Sequence, residues 1–348
     1  MELNGIAEFL EHKSILVTGS TGFLAKILVE KVLRTQPNVK RLYLLLRAAD
    51  AKLAEQRLQK EVLEKDVFKV LKEKYGPKSA FNSFISNKLV AVAGDISLEN
   101  LCVEDTNLRD LLFKEVDIII NTAATTKFDE RYDVALGINT FGPKHVLDFA
   151  KNCSKLEMFL HVSTAYVCGE TSEVVQEKPF KLGETINGTL GLDIEEELNL
   201  MNQKLNELRA LNVNIEAEKA AMEELGLKRT IDSLTAVYGK GKLTFFLGNP
   251  DSILDVIPGD MVVNAMIVAM VAHANQPSQF VYQLGTSFEN PLKLSTFKSF
   301  DVANLERLRM ALDENEFEAK AFHCDPKCID WEDYFMNIHF PGLVKHVF

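Results

Sequence analysis

No stretch of this 348-residue sequence offers 18 uninterrupted apolar residues, so a membrane-spanning helix is not expected. The opening residues, MELNGIAEFLEHK, carry acids and lack a long apolar core, so no secretory signal is expected there either. Cysteine is scarce: Cys102, Cys153, Cys168, Cys324 and Cys328 are odd in number and scattered, which argues against a disulfide framework and for a reduced compartment. Positive charge is also in deficit. The net charge of -11 argues against a general nucleic-acid binder, although a local basic patch could still face an anionic cofactor. With 47% hydrophobic residues the chain can bury one large core or two modest ones. These traits predict a globular cytoplasmic chain, soluble or only peripherally attached to a membrane.

The stretch Lys13 to Lys26, KSILVTGSTGFLAK, organises the rest. Ile15 to Val17 read as a buried strand, and a helical pattern resumes at Ile27, Leu28, Val32 and Leu33. Between them lie Thr18, Gly19, Thr21, Gly22, Phe23, Leu24 and Ala25. Gly19 can adopt a backbone conformation closed to other residues, Gly22 lets a pyrophosphate approach the main chain, and Ala25 is small enough for close helix–sheet packing. The unpaired amides of the first helical turn would face the dianion. An ordinary strand-to-helix turn is the plain alternative, but the second apolar strand, Leu42 to Leu46, favours dinucleotide binding.

The second strand ends on Arg47, where an NAD enzyme usually offers an acid to the ribose. A planar cation there suits the extra phosphate of NADP, and a solvated charge at a strand end is the competing reading. Ala51 to Tyr75 are charged with an apolar stripe, which predicts one long surface helix. Lys88 to Ile96 read as a third strand whose Asp95 could accept from an adenine amino group while Ile96 packs on the ring. Val116 to Ala124 read as a fourth strand ending in small residues. Asn139 is either the cap that opens the next helix or an amide that ties strand ends together.

Met158 to Val167 read as the fifth strand. Ser163 and Thr164 near its exit could hydrogen-bond a substrate carbonyl, or simply fill a strand end as hydroxyl residues often do. The alternation predicts an α/β fold with a doubly wound parallel sheet. Asp193 to Arg229 read as a charged amphipathic helical insertion, either a lid or a solvated surface element. Short apolar segments at Leu243 to Leu247 and Ile253 to Ile257 precede a buried helix over Asp260 to His273, and Val281 to Ser287 read as a further strand. His323, Cys324 and Cys328 form one short cluster without a spaced partner, so no metal site is assigned.

The strings TGSTGFLAK, LYLLLRA, AGDI, NTAATTKFDERYD, GINTFG, HVSTAYVCGE and IPGDMVVNAMI resemble the alcohol-forming fatty acyl-CoA reductases of plants, within the extended short-chain dehydrogenase/reductase superfamily. The likeness runs from about Phe9 to Arg229, resumes over Thr230 to Pro291 and returns around Trp331 to Val347. It implies a Rossmann domain over 1–290 carrying the insertion at about 190–229, and a truncated C-terminal region over 291–348. It also implies NADPH as donor, a long-chain fatty acyl-CoA as substrate, and a primary fatty alcohol for waxes or related lipids. By position, Thr18, Gly19, Thr21, Gly22, Phe23 and Leu24 match the pyrophosphate loop, Arg47 the basic residue after the second strand, and Asp95 and Ile96 the adenine contact. Ala123, Ala124 and Thr125 fall beside the nicotinamide ribose, and Thr164, with Ser163 as neighbour, matches the catalytic hydroxyl.

The departures from the pattern carry as much information. A Tyr and a Lys four residues later, sharing one helix face, ordinarily handle the proton in this superfamily. Here GLKR runs directly into TIDSLTAVYGKGKL, so that segment and the sixth strand after it are missing, and a second join follows Pro291. Tyr238 and Lys242 keep the spacing, but Gly239 and Gly241 between them each cost a helix about 1 kcal/mol; the pair reads as coincidence. Two functions follow: an NADPH-dependent fatty acyl-CoA reductase, or a non-catalytic NADP-binding remnant that associates with full-length relatives. Peripheral contact with the endoplasmic reticulum membrane is compatible with both. A sugar-nucleotide enzyme on the same fold is disfavoured by FDERYD and HVSTAYVCGE. The sheet edge beside MFLHVST is expected to be filled by VYQLGTS or by a strand from 243–257.

Overall fold

A computed structural model describes residues 5–127, 130–164, 176–179, 181, 183, 191, 193–229, 253–255, 257–286, 289–290, 292–293, 307, 310 and 321–339. Its centre is the strand Ser14–Thr18 (β1), whose five residues are all buried. Strand β1 pairs in parallel with Arg41–Leu46 (β2) on one side and with Ile118–Asn121 (β4) on the other. Leu89–Ala93 (β3) and Met158–His161 (β5) complete a five-stranded parallel sheet in the order β3-β2-β1-β4-β5. Apolar runs without alternation are what a sheet covered on both faces requires. The direction of winding reverses between β1 and β4. That switch point opens a crevice beyond the carboxyl ends of the strands.

Helices cover both faces. Phe23–Thr35 (α2), which follows the short N-terminal helix Ile6–Leu10 (α1), packs with Gly259–His273 (α11) over the Ile15, Val17, Ile118 and Ile120 face. Leu28, Val29, Val32 and Leu33 of α2 are all buried. Each such aliphatic side chain contributes about 1.5–3 kcal/mol relative to exposure. The opposite face, with Leu16, Ile119 and Tyr43, is covered by Thr106–Glu115 (α6) and Gly142–Ala150 (α8) through Leu112, Val146 and Phe149. The α/β doubly wound sheet is therefore as the alternation predicts.

Four expectations change. The single helix over 51–75 is instead Ala51–Arg57 (α3), a π-helical stretch Leu58–Leu63, a 3₁₀ turn Asp66–Phe68 and Lys69–Tyr75 (α4), with Lys78–Lys88 (α5) beyond. The adjacent apolar pairs Val62/Leu63 and Val67/Phe68 cannot share one straight 3.6-residue stripe, and changes of helical pitch let all four turn inward. Asn139 lies within a π-helical stretch, Leu136–Phe141, that continues from Tyr132–Ala135 (α7), so it caps nothing. Residues 281–286 form no strand, and among the described residues nothing pairs with the outer edge of β5. Ile253–Leu254 (β6) pairs instead with Leu292–Lys293 (β7), antiparallel and in a separate sheet. Residues 243–247, Tyr238 and Lys242 lie outside the described residues.

The charged insertion is a helical hairpin, Ile194–Ala210 (α9) and Ile215–Arg229 (α10). The Asp193 carboxylate starts α9 by accepting from the amides of Glu195 and Glu196. Met201, Leu205, Leu208 and Met222 then bury a small separate core against Leu136 and Phe141.

Candidate active site

At the exit of β1 the chain turns through Gly19 at φ 66°. A Cβ there would stand 2.7 Å from the backbone nitrogen of Ala123 and 2.8 Å from its Cα. Only glycine fits, because both the dihedral and the contact exclude a side chain. The Gly22 amide donates back to the Gly19 carbonyl at 2.7 Å, and Gly22 then begins α2 with no side-chain cap. Aspartates cap α3, α6 and α9. The first-turn amides of α2 are thus left for a ligand, as a pyrophosphate site needs. Ala25 is fully buried against the sheet, while Gly22 and Phe23 are exposed on the rim. These residues fit a dinucleotide.

An open cavity of about 400 Å³ lies at the end of β2, bordered by Arg47, Leu53, Gln56, Arg57, Lys60 and Glu61. Arg57 forms a two-pronged pair with Glu61 at 2.7 and 2.8 Å, and its Nη1 donates to the Arg47 carbonyl at 2.6 Å. The pairing raises the arginine pKa and lowers that of Glu61. Nearby, Lys26 donates to the Thr21 carbonyl at 2.9 Å. Its pKa is lowered by burial first and by Lys65 second, while Glu61 opposes both. The glycine turn and the cavity therefore share one electropositive border.

Asp95 follows β3, and its Oδ1 accepts from the Ser97 amide at 2.9 Å and from the Ser97 hydroxyl at 2.8 Å. Ile96 is buried beneath the start of α8, where a Cβ on Gly142 would come within 2.7 Å of its Cδ1. The Ile96 carbonyl is held by His145 Nδ1 at 3.0 Å.

Beyond β4, Thr122 donates its hydroxyl to the Thr18 carbonyl at 2.7 Å, locking the fourth-strand exit to the glycine turn. Ala123 and Ala124 follow. Asn139 grips Thr125 twice: its Oδ1 accepts from the Thr125 amide at 2.9 Å and its Nδ2 donates to the carbonyl at 3.0 Å. The amide ties the exit of β4 to the helix that carries it, not one strand exit to another. The Thr125 hydroxyl donates to Glu130, and the neighbouring residues of FDERYD reach the hairpin. Arg131 chelates Asp133 and bonds Glu218 on α10 at 2.9 Å, while the Tyr132 hydroxyl donates to Glu197 on α9. These carboxylates push the Arg131 pKa upward.

The last residues of three neighbouring strands form a row. Thr18 donates its hydroxyl to Asn121 Oδ1, and Asn121 Nδ2 bonds His161 Nδ1 at 3.0 Å. Burial lowers the His161 pKa, against a backbone contact with Asn121 that favours the cation. Ser163 and Thr164 lie just beyond, both exposed.

The geometry brings Thr18 to Leu24 together with Ala123 and Ala124, and sets Ser163 and Thr164 at the same sheet edge two strands away from β1. Arg47 and Asp95 stand at the ends of the successive strands on the other side. Sequence reading misses Arg57, Lys60, Asn121 and His161. The signal for the last two is that each ends an apolar strand with a polar residue.

Comparison with known proteins agrees with this arrangement. A family model described as male sterility protein, of the NAD-binding type, matches residues 17–229, and a second of the same description matches 294–348. The alcohol-forming fatty acyl-CoA reductase of Simmondsia chinensis is 39% identical over 491 aligned positions covering 99% of both chains. At least 143 of those positions have no counterpart in the 348 residues here. Fatty acyl-CoA reductase 1 of Arabidopsis thaliana is 37% identical, covering 100% of this chain and 99% of its own. Fatty acyl-CoA reductase 8 of the same plant is 44% identical over 82% of this chain and 68% of its own. Among solved structures, the terminal R domain from the myxalamid PKS-NRPS biosynthetic pathway superposes with a TM-score of 0.50 at 18% identity, covering 92% of this chain and 80% of that one, which is a likeness of fold.

Proposed function

The chain belongs to the fatty acyl-CoA reductase family marked by the male sterility domains, and from that membership we propose that it reduces a long-chain fatty acyl-CoA to the primary alcohol with NADPH. The observation that carries the cofactor half is the approach of Gly19 to Ala123 in front of an uncapped helix. The basic cavity bordered by Arg47, Arg57 and Lys60 supports NADPH over NADH, because it offers three cations where a 2′-phosphate would lie and one of them is already oriented by Glu61.

Bound NADPH would supply two hydrides in succession, the first to the thioester carbonyl carbon and the second to the aldehyde left when CoA departs. The protein's own part is mostly positioning and charge. The first-turn amides of α2 would hold the pyrophosphate, and Ala123 and Ala124 would let the nicotinamide ribose lie close to the main chain. Ser163 and Thr164 would donate hydroxyl hydrogens to the oxygen at the reacting carbon, which gains charge in each hydride step.

The test is direct. Purified protein should quench or shift NADPH fluorescence on binding and oxidise two NADPH per long-chain acyl-CoA. Arg57→Gln should weaken NADPH by roughly tenfold or more while leaving NADH unchanged, as expected for loss of a charged hydrogen bond worth about 1.5–3 kcal/mol. NADPH binding without turnover would refute the reductase reading and leave a binding module.

A further inference from the structure

The polar row at the sheet's carboxyl edge has no part in the scheme above. Thr18, Asn121 and His161 are in register across β1, β4 and β5. Thr18 and Asn121 are fully buried, so their bonds to one another are shielded from water. The Thr18 hydroxyl donates to the Asn121 Oδ1, which leaves the amide nitrogen to donate to His161 Nδ1 at 3.0 Å. A ring nitrogen that accepts carries no hydrogen, so in this amide orientation the His161 hydrogen sits on Nε2. The ladder continues one residue past β5, where the Val162 amide donates to the Asn121 carbonyl at 2.9 Å. Alternation then puts Ser163 on the same face as His161. His161 is exposed at its rim, in the crevice where β1 delivers the glycine turn and β4 delivers Ala123, while the protein packed around the ring still desolvates it in part.

Resting on the reductase reading, we infer that His161 is a catalytic hydrogen-bond donor in this chain: its Nε2–H, fixed by the Thr18–Asn121 relay, meets the oxygen of the carbonyl undergoing reduction. The imidazole acts neutral, as a polarising donor, and burial supports that state by lowering its pKa. A neutral imidazole does not give up its proton here. In the first step the carbonyl π pair moves to oxygen as hydride reaches carbon, and that oxyanion collapses with cleavage of the C–S bond, releasing CoA thiolate to take a proton from water. In the second step the alkoxide formed from the aldehyde is protonated by water, and two NADPH are oxidised to NADP⁺. His161 lowers the energy of both oxyanions, the task that a tyrosine hydroxyl performs in enzymes that keep the Tyr and Lys pair.

Two kinds of measurement test this. In the ligand-free protein, ¹⁵N-labelled histidine spectra at pH 7 should show His161 neutral with hydrogen on Nε2. Asn121→Asp should move it to Nδ1, because a carboxylate can only accept. A wild-type ring that is cationic, or protonated on Nδ1, overturns the inference without any turnover assay. In kinetics, His161→Leu should lower kcat about 10²–10³-fold, the usual loss for one oxyanion donor, with KM and the NADPH dissociation constant nearly unchanged. His161→Gln, which keeps an N–H donor, should recover part of it. Unchanged kcat in a folded His161→Leu protein overturns the assignment of His161 alone. Wild-type protein that binds NADPH yet reduces neither acyl-CoA nor aldehyde overturns the reductase reading, and the role of His161 with it.

Discussion

Replacing Gly19 with alanine separates two costs that the structure lets us apportion. The first is conformational: φ is 66°, a left-handed value that costs a non-glycine residue about 1–2 kcal/mol. The second is steric. The new methyl would stand 2.7 Å from the Ala123 nitrogen and 2.8 Å from the Thr122 carbonyl carbon. Those are backbone atoms, and the Thr122 hydroxyl bond to the Thr18 carbonyl at 2.7 Å keeps them from moving aside. Overpacking of this kind costs about 1–3 kcal/mol, for a combined loss of roughly 2–5 kcal/mol. Gly76 offers a positive-φ comparison free of the contact: it ends α4 at φ 70° and ψ -118°, and an added Cβ meets nothing within 4 Å. Gly22 carries a contact without the conformational cost: its φ of -70° suits any residue, but an added Cβ would stand 2.9 Å from the Gly19 carbonyl, a backbone atom that must shift. Urea unfolding and NADPH titration on the three alanine variants should therefore diverge. Gly76→Ala should lose stability through its backbone conformation alone, with cofactor affinity intact. Gly22→Ala should lose about 1–3 kcal/mol through that contact and bind NADPH poorly. Gly19→Ala should lose cofactor affinity and roughly 2–5 kcal/mol of stability. A Gly19→Ala loss no larger than the conformational cost of about 1–2 kcal/mol would refute the close approach of the β1 and β4 exits.

Arg131→Gln removes the bridge from FDERYD to α10 and leaves half-buried Asp133 and Glu218 short of a partner, so hydrogen exchange should accelerate across 194–229 while β1 and β4 stay protected. Unchanged exchange in the hairpin would show that its apolar core alone seats it. Burial pushes the Cys153 thiol up to about 12, so at pH 8 iodoacetamide should label exposed Cys328 well before Cys153, as peptide mass spectrometry can record. Faster labelling of Cys153 would contradict its burial. Because the folded His161 pKa lies below the ordinary 6.5, the unfolded chain takes up its proton first. That part of the stability is intact above pH 6.5 and lost as pH falls below it. Between pH 7.5 and 5, wild type should lose more stability than His161→Gln; identical acid profiles would argue against a desolvated ring.

How much of this was legible beforehand depended on distance along the chain. Strands buried on both faces announce themselves as apolar runs, and all five cores of the sheet fall inside the segments read from sequence. The glycine turn and the hairpin are equally local: Gly19 to Ala25 span one turn, and Asp193 caps the helix it directly precedes. What stayed hidden depends on partners brought near only by register or helix pitch. His161 meets Asn121 from 40 residues away, and that contact exists because the two are paired across β4 and β5. Arg57 reaches Glu61 and the Arg47 carbonyl at the point where α3 gives way to the π-helical stretch, a departure that hydrophobic periodicity does not encode. Tyr132 and Arg131 sit in a string recognisable by its spelling, but their partners lie 65 and 87 residues on.

The two halves of the crevice are built differently, and that difference bears on the missing segment. Strand β1 and the strands on its nucleotide side are sealed by α2, α11 and the segmented helices after β2. On the other side, β4 is fully buried while Met158, Phe159 and Leu160 of β5 are only half-buried. The first family model stops at 229, the residue before the join read from sequence, and among the described residues none pairs with the outer edge of β5. Some cover comes from the segment after α11. The Asn275 amide donates to the Glu157 carbonyl, and Tyr282 and Leu284 pack on the same apolar cluster as Met158 and Leu160. This shields a face of β5, whose outer edge has no partner strand among the described residues. The polar row answers part of the same need: Lys13 pairs with Glu157 just ahead of β5 and Asn121 holds His161 at its end, so the strand is pinned at both ends by groups that do not depend on a sixth strand.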